Sequence, residues 1–248
     1  MSIVAVIPAR WASTRFPGKL LANKTGKPLI AHVYDQVCKA TRLDRVIVAT
    51  DDERIADACR AVGAEFRMTR TDHATGSDRI AEVAEDLEAE IIVNVQGDEP
   101  EISPAHIDMA VNLLQEDESA DITSLSSLIE SKEEFENPNV VKVVLDLQKH
   151  ALYFSRWPVP YVRNTDEKSV KSQQRKHIGL YVYRRLALLK LSRLPLTPLE
   201  RCECLEQLRA LENGMVIALV DVDHPAEGID TPEQYERFVK RFMHDEKT

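Results

Sequence analysis

The feature that most constrains the fold is an alternation of short apolar runs with amphipathic segments. The runs "IVAVI" (3–7), "RVIVAT" (45–50) and "EIIVNV" (90–95) are rich in β-branched residues and almost continuously apolar. Such runs are typical of strands that are buried on both faces of a parallel sheet. The segments between them repeat apolar side chains every three or four residues, as one face of a helix does. The alternation predicts an α/β fold with a mostly parallel, doubly wound sheet.

Helix signals lie between these strands. Residues 28–41 carry apolar side chains at helical spacing behind Pro28, which suits a first helical turn. A second helix follows "RVIVAT" and stops at Gly63, after which "EFRMT" (65–69) predicts another strand. The loop "RTDHATGS" leads into a further helix, for which Ser77 is the expected N-cap. Because ligands of such sheets bind beyond the carboxyl ends of the strands, the loops that follow the strands are the places to search for a site.

The alternation breaks in the second half of the chain. The runs "VVKVVLD" (140–146) and "ALYFSR" (151–156) are separated by a short polar turn and predict an antiparallel hairpin. We expect one domain over residues 1–248, with a smaller antiparallel lobe inserted at approximately 138–185. Residues 164–176 are almost entirely polar, which predicts a mobile surface loop that could serve as a lid.

Two later helices carry the same start signal. "TPLE" (197–200) and "TPEQ" (231–234) each place Thr before Pro, with Glu or Gln three residues after the Thr. This order predicts a capping box at each helix start. The run "MVIALVDV" (215–222) between them predicts a strand.

Charge and cysteine content exclude several classes of protein. The formal net charge of −9 argues against nucleic acid or an anionic membrane as a partner, so any anion site must be local. Cys38, Cys59, Cys202 and Cys204 show no paired metal-ligand spacing, and we expect reduced thiols in packing positions, with the last two on different sides of a helix. No signal segment and no apolar run long enough to span a bilayer is present, which favours a cytoplasmic location.

The first loop is strongly basic. In "IPARWASTRFPGK" (7–19), here called the basic loop, Arg10, Arg15 and Lys19 occur with no acidic residue. Guanidinium and ammonium groups at the end of a strand suit the oxygens of a polyphosphate. The alternative is a solvated loop with weak surface ion pairs. Neither GxxxxGK[ST] nor GxGxxG occurs after a predicted strand, so both standard nucleotide fingerprints are absent.

Two carboxylates are candidates for a metal site. Asp98 follows the buried strand "IIVNV", and Asp230 lies far along the chain in "GIDTP". Mg²⁺ prefers hard oxygen donors and is often held by one or two carboxylates together with substrate phosphates. Alternatively, Asp98 belongs to an ordinary turn and Asp230 only favours the start of a helix. Glu99 is expected to face solvent.

Several blocks together resemble one enzyme family. The chain is similar, over nearly its whole length, to the cytidylyltransferases that activate 3-deoxy-manno-octulosonate (Kdo) as CMP-Kdo for lipopolysaccharide biosynthesis. The resemblance implies a nucleotide-diphospho-sugar transferase-like fold and a Mg²⁺-dependent transfer of CMP from CTP to the anomeric hydroxyl of Kdo. The blocks that carry it, in family order, are "IPARWASTRFPGK", "VNVQGDEP" (93–100), "VVKVVLD" with "ALYFSR", "KHIGLYVYR" (176–184), "LEQLRALENG" (205–214) and "GIDTPEQ" (228–234).

The resemblance assigns the nucleotide side of the site. It implies catalytic roles for Arg10, Arg15, Lys19, Asp98 and Asp230, with the two Asp residues holding Mg²⁺. The CTP-binding residues that it implies are Ala9, Arg10, Arg15, Lys19, Thr75, Gly76 and Ser77. The family more often has "QSGT" where this chain has "ATGS". No residue stands out as a general base.

The resemblance also assigns a sugar side. Arg156 suits the carboxylate of the sugar acid by bidentate pairing. Glu206 and Gln207 are expected on the helix opened by Thr197, where a solvated helix face is the alternative. The sugar-binding residues implied are Gln96, Arg156, His177, Tyr181, Glu206 and Gln207. Trp157 is bulkier than the residue expected there, whereas His73 and His150 are expected to be ordinary surface residues.

The sequence leaves other functions open. A related enzyme could transfer CMP to an amino-substituted Kdo or to sialic acid, or a relative could act on a sugar phosphate. A non-catalytic nucleotide sensor is the alternative from another class, although it would be expected to lose Lys19, Asp98 or Asp230. Family members are typically homodimers, and the hairpin of residues 140–155 is the expected interface.

Overall fold

The structure is a computed structural model that describes residues 2–12, 15–163, 174–223 and 225–245. The chain forms two compact units, of which the first comprises Met1–Asp108 with Ala226–Thr248 and the second comprises Met109–Pro225. The antiparallel lobe predicted at 138–185 falls within the second unit. The expectation of one domain over residues 1–248 stays a prediction.

Strands and helices alternate through the first unit, as the apolar pattern predicts. The strands are β1 Ile3–Ala9, β2 Arg45–Thr50, β3 Phe66–Met68, β4 Ile91–Asn94, β5 Ile122–Leu128, β6 Lys142–Leu145, β7 Ala151–Ser155, β8 Arg175–Arg184 and β9 Ile217–Asp221. The α-helices are α1 Leu29–Val37, α2 Glu53–Ala61, α3 Gly76–Glu85, α4 Pro104–Glu116, α5 Lys132–Glu136, α6 Arg185–Arg193, α7 Pro198–Glu203, α8 Gln207–Glu212 and α9 Pro232–Asp245. Within the described ranges, no helix is long and apolar enough to cross a membrane.

The first unit contains a parallel sheet with a topological switch point. Its strand order is β3-β2-β1-β4, and the β1–β2, β1–β4 and β2–β3 pairs are all parallel. The chain leaves β1 towards β2 and β3 on one side and returns to β4 on the other side. The carboxyl ends of β1 and β4 therefore flank the crevice where sheets of this kind bind ligands. The prediction of a mostly parallel α/β fold is confirmed.

Close backbone packing marks this crevice. A Cβ atom on Gly97, which follows β4, would lie 2.8 Å from the carbonyl oxygen of Pro8 near the end of β1. No side chain fits at that distance from backbone, so position 97 requires glycine. The loop after β4 is thereby held against the end of β1.

The start of α3 differs from the predicted one. The N-cap is Thr75, whose Oγ1 accepts a hydrogen bond of 3.1 Å from the N–H of Asp78, while Asp78 Oδ2 accepts one of 3.1 Å from the N–H of Thr75. This reciprocal pair satisfies two helix-end donors, so the helix begins before Ser77. Ser77 lies buried in the first turn, and its predicted N-cap role is wrong.

The second unit holds the antiparallel elements. β5 is parallel to β9 and antiparallel to β8, while β6 pairs antiparallel with both β7 and β8. The predicted hairpin is confirmed. Of the loop predicted at 164–176, residues 164–173 lie outside the described residues. Arg175 and Lys176 begin β8 instead, where they pair with Leu128 and Ser127 of β5, so the loop prediction is wrong for these two.

The helix that Thr197 opens is shorter than predicted. It ends at Glu203, and Cys204 has a left-handed backbone with φ of 52°, which stops helical continuation. Glu206 and Gln207 therefore belong to the start of α8, and their predicted placement on the Thr197 helix is wrong. Cys204 likewise lies beyond the helix. All four cysteines are free thiols, but only Cys59 is buried, so the predicted packing role is wrong for the other three.

Candidate active site

A cavity of about 300 Å³ opens at the carboxyl ends of β1 and β4. Its wall combines the basic loop, the start of α3, the loop after β4 and the segment before α9. All of these belong to the first unit. The sequence-predicted residues that line it are Ala9, Arg10, Arg15, Lys19, Thr75, Gly76, Gln96, Asp98 and Asp230. Ser77 is not among the lining residues.

Lys19 joins the basic loop to both candidate metal ligands. Its ammonium group donates hydrogen bonds to Asp98 Oδ2, to the carbonyl oxygen of Ile229 at 2.9 Å and to Asp230 Oδ1 at 3.2 Å. Arg15 adds an ion pair of 2.9 Å to the same oxygen of Asp230. Two carboxylates that are far apart in the sequence therefore converge on one cation.

Local backbone features place these side chains. Gly18 adopts φ of +68°, a left-handed conformation that favours glycine, and it directly precedes the 3₁₀ turn Lys19–Leu21. At the other end of the cluster, Gln234 Oε1 accepts hydrogen bonds from the N–H groups of Asp230 at 2.7 Å and Thr231 at 2.9 Å. Thr231 Oγ1 in turn accepts one of 3.3 Å from the N–H of Gln234. The capping box predicted at 231–234 therefore orients Asp230.

The donor set fits a hard divalent cation. Asp98 and Asp230 present carboxylate oxygens to a common positive charge, and such oxygens are the ligands that Mg²⁺ prefers. Within the described residues, no group of three or more His, Cys, Asp or Glu side chains could hold a metal ion. A pair of carboxylates suits a cation such as Mg²⁺ that takes its other ligands from phosphate oxygens and water.

The cavity is locally positive although the chain is acidic. Among the described residues, its lining carries four cationic side chains, of Arg10, Arg15, Lys19 and Arg79, and two carboxylates, of Asp98 and Asp230. The start of α3 also lines it, and a helix N-terminus adds partial positive charge. Local cations at close range suit a polyphosphate despite the net charge of −9, because surface charges elsewhere are screened within about 8 Å at physiological salt.

Two residues that line this cavity, His73 and Arg79, were not predicted from the sequence as site residues. The His73 side chain is only 6% exposed and hydrogen-bonds Glu82 through Nε2, so its interpretation as a surface residue is wrong. Arg79 is buried; it donates a hydrogen bond to Thr69 and pairs with Asp51 at 2.8 Å. The signal that could have revealed Arg79 is its place beside Ile80 on the apolar side of α3, where an unpaired charge would be costly.

Glu99 and His150 also differ from expectation. Glu99 is buried rather than solvent-facing, and burial together with the neighbouring Asp98 carboxylate raises its pKa to about 8. His150 pairs with Asp117 at 2.7 Å and is mostly buried, so it is not an ordinary surface residue either. Both cases depend on neighbours that the sequence does not identify.

The predicted sugar-side residues other than Gln96 all belong to the second unit. The rings of His177 and Tyr181 lie 5.2 Å apart, and Ser124 Oγ hydrogen-bonds His177 Nε2 at 2.8 Å. Burial lowers the pKa of His177 to about 3, which keeps the imidazole neutral. Burial, followed by the charges of Tyr183 and Glu206, raises the pKa of Tyr181 well above its ordinary value. The charge of Glu206 therefore acts on the hydroxyl of Tyr181.

Arg156 has local partners that its sequence did not reveal. Its guanidinium donates hydrogen bonds to the carbonyl oxygens of Glu203 at 2.8 Å, Pro138 at 3.1 Å and Cys204 at 3.3 Å. The Glu203 carboxylate also accepts the backbone N–H of Arg156 at 2.9 Å. Gln207 is buried at the start of α8.

Known proteins share both the sequence and this architecture. The family model described as "Cytidylyltransferase" matches residues 4–217. The chain belongs to the cytidylyltransferase family. Relatives named 3-deoxy-manno-octulosonate cytidylyltransferase are 50% identical in Geobacter sulfurreducens, with 97% of this chain and 99% of the relative aligned, and 52% identical in Geobacter metallireducens, with 97% and 98% aligned. The resemblance stated from the motifs is thereby confirmed.

Solved structures extend this comparison. A CMP:2-keto-3-deoxy-manno-octonic acid synthetase complexed with CTP is 40% identical and superposes with a TM-score of 0.93, covering 99% of this cytidylyltransferase and 100% of that chain. The 4-diphosphocytidyl-2C-methyl-D-erythritol synthase of Anaerococcus prevotii superposes with a TM-score of 0.64 at 13% identity, covering 98% and 96% of the two chains. The second likeness shows the fold alone.

Proposed function

We infer that this cytidylyltransferase transfers CMP from CTP to the anomeric hydroxyl of Kdo and releases pyrophosphate, a step that supplies activated Kdo for lipopolysaccharide biosynthesis. The observation that carries this function is the meeting of Lys19 with Asp98 and Asp230 at the switch point of the sheet. Relatives at 50% and 52% identity bear the name of this activity, and the solved synthetase at 40% identity is a complex with CTP.

The reaction needs positioning and charge stabilisation. The hydroxyl oxygen of the sugar forms a bond to the α-phosphorus, the α–β phosphoanhydride bond breaks, and pyrophosphate leaves with that electron pair while the hydroxyl proton passes to solvent. Negative charge grows on the phosphate oxygens during this step. Arg10, Arg15 and Lys19 are the groups of the cavity that would neutralise it and hold the triphosphate in line.

The metal requirement is part of the proposal. Asp98 and Asp230 are the residues that would hold Mg²⁺, and their common contact with the Lys19 ammonium supports this because both oxygens already face one positive charge. A bound Mg²⁺ would supply further charge neutralisation at the phosphates and lower the pKa of the attacking hydroxyl. Thr75 and Gly76, at the start of α3, are proposed to approach the cytidine or its phosphate, and Ser77 to support that turn from its buried position.

The residues proposed to bind the sugar have polar side chains that can hydrogen-bond its hydroxyl and carboxylate groups. A neutral His177, a protonated Tyr181 and the nearby Glu206 offer donors and acceptors for sugar hydroxyls, and we assign Gln96 and Gln207 the same role. Arg156 is proposed for the sugar carboxylate. Because its guanidinium already binds three carbonyl oxygens, it would have to exchange at least one of them for the substrate.

Pyrophosphate release tests this function. The protein is incubated with Mg²⁺, Kdo and each nucleoside triphosphate in turn, and release dependent on both CTP and Kdo is expected. Parallel reactions with an amino-substituted Kdo and with sialic acid identify the preferred sugar. Release with sialic acid alone would move the assignment to that sugar, whereas CTP binding without turnover on any sugar acid would identify a nucleotide sensor and overturn the proposal.

Assembly and location complete the proposal. Leu147 in the turn of the β6–β7 hairpin is 104% exposed and Leu152 on β7 is 61% exposed, which supports a homodimer formed through residues 140–155. Light scattering coupled to size exclusion should give the mass of a dimer, and Leu147→Asp with Leu152→Asp should give a monomer.

Free thiols at Cys38, Cys202 and Cys204, all exposed, support a reducing compartment, here proposed to be the cytoplasm.

A further inference from the structure

Trp11 of the basic loop has two close neighbours. The guanidinium carbon of Arg54, on α2, lies 3.4 Å from the centroid of the Trp11 ring. A Cβ atom built on Gly18 would lie 2.7 Å from Cη2 of the same ring, so the Gly18 backbone rests directly against the indole. Arg54 is itself fixed by Asp52, whose carboxylate accepts hydrogen bonds of 2.9 Å from Nε and 2.6 Å from Nη2. The ring is therefore tied to α2 on one side and to the backbone before Lys19 on the other.

The contact with Gly18 matters because Lys19 follows it immediately. Gly18 begins the 3₁₀ turn from which the Lys19 ammonium reaches Asp98, Asp230 and the carbonyl oxygen of Ile229. A shift of the Gly18 backbone would move the origin of that side chain. Trp11 also directly follows Arg10 in the sequence. The positions of Arg10 and Lys19 therefore both depend on where the ring is held.

A second aromatic contact holds the same loop from another direction. Phe16 packs against Tyr235 of α9 with ring centroids 5.7 Å apart, and the Tyr235 hydroxyl accepts a 2.8 Å hydrogen bond from the N–H of Lys24. Trp11 is the anchor towards α2, and Phe16 is the anchor towards α9. Trp11 is not among the residues that line the candidate-site cavity; it lines a neighbouring cavity that shares Arg10 and Arg79 with it. We therefore expect its effect on the nucleotide to pass through the neighbouring cations, Arg10 and Lys19.

We propose that Trp11, clamped by Arg54, is a positioning residue that presents Arg10 and Lys19 to the triphosphate of CTP. The inference rests on the proposed function only in naming CTP as the nucleotide. It assigns the indole no contact with substrate. It predicts that the loss of the ring weakens nucleotide binding while the affinity for the sugar acid stays the same.

Calorimetric titration with CTP and Mg²⁺, without sugar, measures the predicted effect directly. Trp11→Ala should weaken CTP binding about tenfold, and Trp11→Phe, which keeps an aromatic face for Arg54, should restore most of it. Arg54→Ala should weaken binding about threefold, in line with one partly exposed cation–π contact. Arg60→Ala is the matched control, because Arg60 lies on the same helix 4.9 Å from the ring of Phe66; its CTP affinity should equal that of the wild type.

A double-mutant cycle tests whether Arg54 acts by holding the Trp11 ring or only through its own charge. If Arg54 acts through the indole, Arg54→Ala should have almost no further effect in the Trp11→Ala background. Equal effects of Arg54→Ala in both backgrounds would show that Arg54 contributes only its charge, and would overturn the clamp. Steady-state kinetics should show a raised KM for CTP in Trp11→Ala with an unchanged KM for Kdo, whereas a ring that only stabilises the fold would lower the active fraction and change neither KM.

The outcomes also separate this inference from the proposed function. Wild-type protein that binds CTP while Trp11→Ala binds it equally well would overturn the positioning role and leave the function intact. Wild-type protein that binds none of the nucleoside triphosphates would overturn the proposed function itself. Thermal unfolding of each variant checks that CTP binding is compared between folded proteins. If Trp11→Ala does not fold, Arg54→Ala still tests the inference, because it removes only an exposed side chain.

Discussion

The N–H of Ile229 donates a hydrogen bond of 2.8 Å to the carbonyl oxygen of Asp98. This bond ties the segment before α9 to the loop after β4, although more than half of the chain separates them. Through it, the carboxylates of Asp98 and Asp230 approach one another closely enough to share the Lys19 ammonium. The proposed chemistry depends on that convergence.

Replacing either carboxylate should abolish turnover and preserve the fold. Asp98→Asn and Asp230→Asn keep the shape of the side chain but remove the charge that would hold Mg²⁺. We expect a loss of at least about a thousandfold in kcat, as for removal of a major electrostatic group in other active sites, and weaker binding of Mn²⁺ in the presence of CTP, measured by electron paramagnetic resonance. Glu101→Gln, at a half-buried carboxylate three residues after Asp98 that pairs with Arg241, is the control. Near-normal activity in either Asn variant would remove that residue from the metal site.

Gly97→Ala should destabilise the protein through a backbone clash. The added Cβ would lie 2.8 Å from the carbonyl oxygen of Pro8, and neither partner is a flexible side chain. We expect a loss of about 1–3 kcal/mol in the free energy of unfolding, measured by urea denaturation. Gly179→Ala, where no heavy atom lies within 4 Å of the added Cβ, is the comparison. Equal stability of the two variants would show that the loop after β4 is not held against β1.

His32 should make stability depend on pH. Burial, followed by the charge of Lys27, lowers its pKa from 6.5 to about 4, and it packs against Phe238 and Phe242. Because the unfolded chain binds this proton more tightly, the contribution is complete above pH 6.5 and is lost as the pH falls from 6.5 towards 4. The loss is on the order of 3 kcal/mol. His32→Gln should flatten the fall of Tm across that interval, and an unchanged pH profile would contradict the assignment.

Lys142 is a buried structural cation in the second unit. Its ammonium donates hydrogen bonds to the carbonyl oxygens of Asn137 at 2.9 Å, Val140 at 2.6 Å and Arg156 at 2.6 Å. The carbonyl oxygen of Asn137 also accepts the N–H of Val140 at 3.1 Å, so Lys142→Met should deprive the other two carbonyl oxygens of this donor and lower the free energy of unfolding by about 3 kcal/mol. Lys132→Met, at a side chain that is 84% exposed, should change it by less than about 0.5 kcal/mol. Equal effects of the two substitutions would show that the Lys142 contacts carry no net stability.

Much of the fold was predictable because its signals are local. Continuous β-branched runs identified β1, β2 and β4, and the Thr-Pro signals placed the starts of α7 and α9, since burial and capping leave direct marks on neighbouring residues. The start of α3 was missed because Thr75 and Ser77 are both competent N-caps, and only the reciprocal bond with Asp78 favours Thr75. The break at Cys204 was missed because no glycine marks its left-handed backbone.

The candidate site was predictable in its residue types and less so in its contacts. Motifs pointed to Lys19, Asp98 and Asp230, but their convergence depends on contacts between segments far apart in the chain. The burial of His73, Arg79 and Glu99 depends in the same way on which neighbours cover them. The three carbonyl oxygens around Lys142, the lysine of "VVKVV", could not be predicted either, because these acceptors are backbone atoms that every sequence carries.

The central claim is most directly tested by pyrophosphate release from the purified protein with Mg²⁺, Kdo and one nucleoside triphosphate at a time. We expect release that requires both CTP and Kdo, yields CMP-Kdo in equal amount and disappears in Asp98→Asn. Release that is independent of Kdo, or that proceeds equally well with UTP, ATP or GTP, would contradict it.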